Sequence, residues 1–276
     1  MTISDGGGGT ALASRGRVVN WYAMVVIFGI HAVSEALKSG ARSFDYVGIS
    51  RERHDQRIQR IIDACRASGI QLRFLLREEL DREAKTHTHQ GVIAVTSTKQ
   101  YADVDLLLEN HKGPFSFLVV LDSIEDPHNL GALIRTADAA GADGVVIPER
   151  RAVGLTGTVV KASAGASEYL PIARVTNVAR TLEELKERGL WTVGLDERGT
   201  QSYAELDYNM PCAVVLGAEG KGLHDLVRKR CDFLVSIPMY GSVPSLNVSV
   251  AGAVVMYEVA RQRRTVRRRE KATPAR

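Results

Sequence analysis

The stretch Phe115-Ser-Phe-Leu-Val-Val-Leu121, followed by Asp122-Ser-Ile-Glu-Asp-Pro-His-Asn129-Leu-Gly131-Ala-Leu-Ile-Arg135, decides the fold. A run this apolar predicts a strand covered on both faces, as in a parallel sheet. The acids behind it sit where a helix N-terminus tolerates negative charge, and Asn129 reads as the N-cap of a helix over 129–140. The pattern repeats downstream. Strands are predicted at 144–147, 170–174, 191–195, 213–216 and 233–237, and helices at 158–164, 177–188, 223–228 and about 246–262. Such alternation places the chain in the α/β class, with a mainly parallel sheet sandwiched between helices. Ligands of such sheets bind beyond the carboxyl ends of the strands.

Upstream, 24–28, 46–49, 71–75 and 91–96 read as strands and 31–38 and 56–67 as helices, the second carrying Ile58, Ile61, Ile62 and Cys65 at helical spacing. The expected organisation is a disordered leader over 1–23, a small α/β domain over 24–98, a linker over 99–114, the main domain over 115–262 and a basic tail over 263–276. The chain has 276 residues, and its net charge of +4 is unevenly spread. From Arg261 to Arg276 there are eight Lys or Arg and one Glu, so the rest of the chain is slightly acidic. A nucleic-acid arm and a solvated helix end both fit that tail. Composition with 25% charged residues excludes a disordered or fibrous class for the bulk of the chain. Cys65, Cys212 and Cys231 form no pairing pattern, which argues against a disulfide framework and for a reducing compartment. The apolar stretch 18–33 is broken by Asn20, Gly29 and His31 and is followed by no small-residue cleavage site, so no membrane span or secretion signal is expected, and the cytoplasm is the expected location.

Chemistry gathers at three strand ends. The first is the segment quoted above, where Asn129 and Arg135 lie less than two turns apart on the predicted helix. The second is Leu216-Gly217-Ala-Glu219-Gly220-Lys221-Gly222. It is no phosphate loop, which would need Lys after Gly222, and no dinucleotide fingerprint, which would need Gly at Asp225. A ligand loop of another kind and a tight connection both remain open. The third runs from Ile237-Pro238-Met239 through Pro244-Ser245-Leu246-Asn247-Val248-Ser249, where turn-forming residues give way to an apolar helix that Ser245 would cap.

Together, in order and spacing, these segments resemble the three motifs of the SPOUT-superfamily (TrmH/SpoU-type) RNA 2′-O-ribose methyltransferases. The beginning of the small domain, Phe28-Gly-Ile-His31, and its end, His89-Gln-Gly91-Val, resemble that family's N-terminal RNA-binding domain, similar in fold to ribosomal protein L30e. The likeness covers about 26–262 and is nearest to enzymes that methylate a guanosine ribose in bacterial 23S rRNA. Pro244, the leader and the arginine-rich end depart from it.

The resemblance implies a deep trefoil knot in the main domain and S-adenosylmethionine as methyl donor. It implies a donor site at Leu216, Gly217, Ala218, Ile237, Met239, Leu246 and Asn247. It also implies catalytic roles for Asn129, Arg135, Glu219, Ser245 and Asn247, a homodimer formed through the C-terminal domain, an RNA partner and no metal. On this view Arg135 clamps a phosphate and steadies the forming alkoxide, since a guanidinium does not give up its proton. Asn129 bonds near the ribose, Glu219 orients Arg135 or the base, and Ser245 and Asn247 fix the third loop. A tRNA ribose, an rRNA adenosine or a non-catalytic role in ribosome assembly are the rival readings. His87-Thr-His89 lacks companion ligands for a metal and reads as a surface turn, His128 as a loop histidine, and Trp21 and Trp191 as packing residues.

Overall fold

The structure is a computed structural model that describes residues 24–109 and 111–272, with side chains through 264. The expected leader, Trp21 and the last four residues lie outside the described part.

The first unit comprises β1 (Met24–Phe28), α1 (Ile30–Ser39), β2 (Phe44–Ser50), α2 (Gln56–Ala67), β3 (Leu72–Leu75), α3 (Arg77–Ala84) and β4 (Val92–Ser97). Its sheet runs β1-β4-β2-β3, with β4 antiparallel to both neighbours and β3 on the edge. The helical spacing read at α2 is the buried stripe Ile58, Ile61, Ile62 and Cys65, and Asp55 caps that helix by accepting from the Arg57 and Ile58 amides.

The second unit carries α4 (Val104–Glu109), β5 (Phe117–Leu121), α5 (Pro127–Ala140), β6 (Gly144–Pro148), α6 (Gly157–Ala162), β7 (Ile172–Val175), α7 (Val178–Glu187), β8 (Trp191–Leu195), β9 (Gln201–Ser202), β10 (Cys212–Leu216), α8 (Asp225–Arg230), β11 (Phe233–Ser236) and α9 (Val248–Ala272). The seven strands form one sheet in the order β7-β6-β5-β10-β8-β11-β9, and every pairing is parallel. Strands β5, β6 and β10 are buried along their whole length, as continuous apolar runs require. Alternate residues face opposite ways. Val119, Leu121 and Val214 meet α5 and α9, whereas Leu118, Val120 and Val215 meet α4, α7 and α8. Leu121, Leu216 and Leu195 stand level across β5, β10 and β8, so Asp122, Gly217 and Asp196 leave one edge of the sheet side by side.

Three stretches differ from the sequence expectation. The segment between the units is ordered in part, since Ala102 bridges to β7 and Leu107 of α4 is buried under the sheet. Strand β9 is too short to leave a periodic signature. Helix α9 runs ten residues beyond 262, because Arg, Glu and Lys are good helix formers. Arg263 is buried and donates to the carbonyls of Phe115, Tyr208 and Met210.

The two units are joined by polar and apolar contacts alike. Val160 of α6 belongs to the small unit's core. Gly157 lets α6 approach β1, for a Cβ there would lie 2.2 Å from the Val26 carbonyl oxygen. Arg42 and Glu168 form a two-pronged ion pair, with both bonds 2.9 Å and both side chains fully buried. Lys99 beside them donates to the carbonyls of Ser167 and Leu170, and burial pushes its ammonium down to about 8.

Candidate active site

Helix α5 begins two residues before the expected start. Asp126 is its cap, accepting from the amides of His128 and Asn129, with Pro127 in the first turn. Asn129 is therefore not the cap, and its side chain is free for other partners. It donates from Nδ2 to Glu219 Oε2 at 3.1 Å and accepts at Oδ1 from Asn247 Nδ2 at 3.0 Å. Asn247 Nδ2 also lies 3.3 Å from Glu219 Oε1, which closes a ring of three side chains, one from each quoted segment.

Asn247 has a second task. Its Oδ1 accepts from the Ser249 amide at 2.9 Å and the Ser249 hydroxyl at 2.6 Å, so Asn247, rather than Ser245, caps α9. The helix consequently starts at Val248, and Ser245 and Leu246 remain in the loop.

The glycine segment is tight and cavity-lining at once. A Cβ on Gly217 would fall 2.1 Å from the Gly222 carbonyl carbon, and the Gly222 amide donates to the Ala218 carbonyl at 2.9 Å. Gly220 and Gly222 adopt positive φ of 75° and 65°.

These loops enclose a cavity of about 370 Å³. Leu216, Gly217, Ala218, Ile237, Met239 and Leu246 line it, together with Glu219 and Ser245. Asn129, Asn247 and Arg135 do not. Arg135 is exposed on α5 and makes no hydrogen bond or ion pair among the described residues, so Glu219 holds Asn129 and Asn247 rather than Arg135. Six residues on a helix correspond to a turn of about 240°, which separates Arg135 from Asn129 around the axis.

Sequence reading missed the fourth wall, which follows β8. Asp196, Glu197 and Arg198 line the cavity, and the nearly buried Asp196 accepts from the Arg198 amide at 3.0 Å. Arg228 of α8 and Lys221 add cations. Asp196 follows Leu195 as Asp122 follows Leu121, a correspondence that shows only once β8 is known to pair with β10. A further polar pair stands at this edge. His224 places both its amide and its Nδ1 on buried Asp122, at 2.9 and 3.0 Å.

Residues 116–257 match the model of the SpoU rRNA methylase family, and residues 26–102 match the RNA 2′-O ribose methyltransferase substrate-binding domain. The chain belongs to the SpoU family of RNA methyltransferases. It is 48% identical over 242 residues to the YacO protein of Bacillus subtilis (strain 168), assigned to the TrmH family of tRNA/rRNA methyltransferases, across 87% of this chain and 96% of that protein. It is 46% identical to the 23S rRNA (guanosine-2′-O-)-methyltransferase RlmB of Ralstonia nicotianae, across 87% of this chain and 97% of that one. The crystal structure of the SpoU methyltransferase AviRb from Streptomyces viridochromogenes, in complex with AdoMet, superposes with a TM-score of 0.74 at 25% identity, covering 88% of this chain and 92% of that one. The α/β fold with a separate substrate-binding unit agrees with these likenesses. No group of three or more metal-ligating side chains occurs among the described residues, and His87 and His89 both engage Asp81. Trp191 packs on Phe233 with ring centroids 5.6 Å apart. Among the described residues no helix is long and apolar enough to cross a membrane.

Proposed function

We propose that the chain methylates the 2′-hydroxyl of a guanosine ribose in 23S rRNA, with S-adenosylmethionine held in the cavity between the glycine loop and the start of α9. The observation that carries this reading is the hydrogen-bonded ring Asn129–Glu219–Asn247, which ties the three loops together around one cavity. The lining suits such a donor. The cavity volume falls in the range of small-ligand sites. Apolar walls at Leu216, Ile237 and Leu246 match an adenine ring, carboxylates at Asp196, Glu197 and Glu219 match a cation, and Arg198, Lys221 and Arg228 match a carboxylate. When bound, S-adenosylmethionine supplies an electrophilic methyl group on a sulfonium, which needs no metal.

The chain's own residues then act on the acceptor. The glycine loop offers backbone groups where a side chain would fill the space. Asn129 and Asn247 hold the loops and bond to the substrate ribose, and Ser245 and Leu246 keep the third loop over the cavity. Arg135, which makes no hydrogen bond or ion pair among the described residues, clamps the phosphate next to the reacting ribose and stabilises the developing alkoxide. Its guanidinium keeps its proton, so the hydroxyl proton passes to phosphate or water. The same reading makes the second unit a deep trefoil knot. Supporting it, β10 is inserted between β5 and β8, and Gly199 lies so close to β11 that a Cβ would come within 2.5 Å of the Val235 carbonyl carbon. It also makes the protein a cytoplasmic homodimer paired through the second unit, in line with the exposed Val250 and Tyr257 on one side of α9.

The Ralstonia relative, alike over nearly its whole length, favours rRNA guanosine as the acceptor. Primer extension at low nucleotide concentration on unmethylated 23S rRNA, after incubation with enzyme and S-adenosylmethionine, tests this. A new stop at one guanosine is expected. A stop at an adenosine, or methyl transfer to tRNA alone, would replace the assignment.

A further inference from the structure

A second cavity, of about 390 Å³, shares no residue with the donor cavity and lies where the two units meet. Three cations line it, Arg53 after β2, Arg77 at the start of α3 and Lys161 from α6, against a single carboxylate, Glu52. The surplus is positive, and it is only partly neutralised. Arg53 Nε bonds to Asp55 at 2.7 Å, but Lys161 Nζ is held by a neutral carbonyl, that of Thr88, at 2.6 Å, and Arg77 makes no ion pair among the described residues.

The walls are built around the cationic stems. Gly91, at φ 75°, would place a Cβ 2.7 Å from Arg53 Cδ, and Gly29, at φ 96°, would place one 3.5 Å from Lys161 Cγ. The turn 87–91 is stiffened from both ends. Buried His89 accepts at Nδ1 from the Gly91 amide and hence donates from Nε2 to Asp81, while Gln90 Oε1 takes the Ile30 amide. Burial holds the His89 imidazole below its ordinary range. Phe74 and Leu76 are exposed on and just past the edge strand β3, and Arg51 Nε reaches the Phe74 carbonyl at 3.0 Å.

We propose that this junction pocket binds a backbone phosphate of the substrate RNA away from the reacting nucleotide, with Phe74 stacking on a neighbouring base. The proposal rests on the RNA methyltransferase reading above. Guanidinium forks and an ammonium suit a phosphodiester, and an exposed aromatic ring three residues before Arg77 in the chain suits an unpaired base. Helix α6 joins the pocket to the chemistry. It carries Lys161 and packs on α5 at Gly131, where a Cβ would lie 2.4 Å from that of Ala162. The helix α5 in turn carries Asn129 and Arg135. A phosphate gripped here is thus one short helix from the reacting site, and the grip sets where the strand enters.

The test uses the full chain, a 23S rRNA transcript and tritiated S-adenosylmethionine, and compares the wild type with Arg77→Ala and with Arg77→Ala/Lys161→Gln. Arg77 is exposed, and calorimetric donor affinity reports whether the second unit stays folded. The expected result is a KM for RNA raised about tenfold in the single variant and further in the double, with kcat at saturating RNA within about twofold. The slope of log affinity against log salt should shrink by about 0.7–0.9 for each lost phosphate contact. An unchanged KM and slope in both variants would overturn the proposal, as would a fall in kcat as large as the rise in KM. Inorganic phosphate that binds the wild type and not Arg77→Ala, with no change in RNA affinity, would make this a free-anion site and overturn the RNA assignment. If the wild type methylates no RNA, the functional reading fails on its own, and filter binding of the same transcript still decides whether Arg77 and Lys161 hold RNA.

Discussion

Two polar clusters, each assembled from residues far apart in the chain, have opposite characters. At the junction of the units, Arg42 and Glu168 are buried, Lys99 beside them is half-buried, and their polar atoms are satisfied by one another and by backbone. At the cavity between the glycine loop and the start of α9, Glu219 and Asn247 are exposed, and the ring they form with Asn129 stands at the rim of open space. A closed and satisfied cluster fixes geometry, whereas one that keeps spare hydrogen-bonding capacity beside a cavity serves a ligand. Substitutions in the first should therefore be read in stability, and in the second in turnover.

The largest expected effect is at the junction. Arg42→Ala leaves the Glu168 carboxylate buried without its two-pronged guanidinium partner, with only the Lys99 ammonium nearby, and should cost about 3–5 kcal/mol of unfolding free energy by urea titration. Breaking the exposed Glu35–Lys38 pair through Lys38→Ala should cost under about 1 kcal/mol in the same assay. Equal losses from the two would erase the contrast between buried and surface pairs.

At the cavity the order reverses. Arg135→Ala should lower kcat on 23S rRNA about 100-fold or more, and leave unfolding free energy within about 0.5 kcal/mol, because its side chain is exposed and makes no hydrogen bond or ion pair among the described residues. Near-normal turnover would remove the guanidinium from the chemistry. Glu219→Gln keeps the shape of the ring but replaces one accepting oxygen with a donor that faces the donor amide of Asn129 or Asn247. A loss of about 1 kcal/mol, read as a fivefold to tenfold weaker S-adenosylmethionine affinity by calorimetry, is expected. A weaker RNA affinity with unchanged donor affinity would assign Glu219 to the acceptor side instead.

Legibility in the sequence followed the same division. The buried strands and the amphipathic helices were readable because burial repeats at fixed periods, as in β5, β10 and α2. Of the seven residues expected at a donor site, Leu216, Gly217, Ala218, Ile237, Met239 and Leu246 line one cavity and Asn247 does not. Which residue caps a helix was not readable. Asp126 and Asn129 are both good caps on paper, and only the phase of α5 relative to Glu219 separates the capping residue from the one that faces the site. Asp196 escaped notice because its place in the cavity depends on β8 lying next to β10, a fact of strand order rather than of spacing. The Arg42–Glu168 pair spans 126 residues and has no local trace. Basic composition at the end of the chain suggested a tail, yet it says nothing about helicity, and Arg263 is drawn inward by carbonyls that the fold leaves in need of donors.

The smallest effect tests the junction by pH. Burial lowers the Lys99 ammonium from 10.5 to about 8, against the partial relief that Glu168 offers. Between those values the unfolded chain holds a proton that the folded chain has released, so stability rises with pH across that window. Below pH 8 both states are charged and the folded state bears the full cost of burying the ammonium. Raising the pH from 7.5 to 8.5 should therefore move the unfolding free energy of the wild type upward, relative to Lys99→Met, by on the order of half a kcal/mol. Urea titrations of both proteins at the two pH values provide the comparison. A difference that stays flat or moves the other way would mean that Lys99 is solvated, and that the junction is wetter and less closed than its contrast with the cavity at the glycine loop requires.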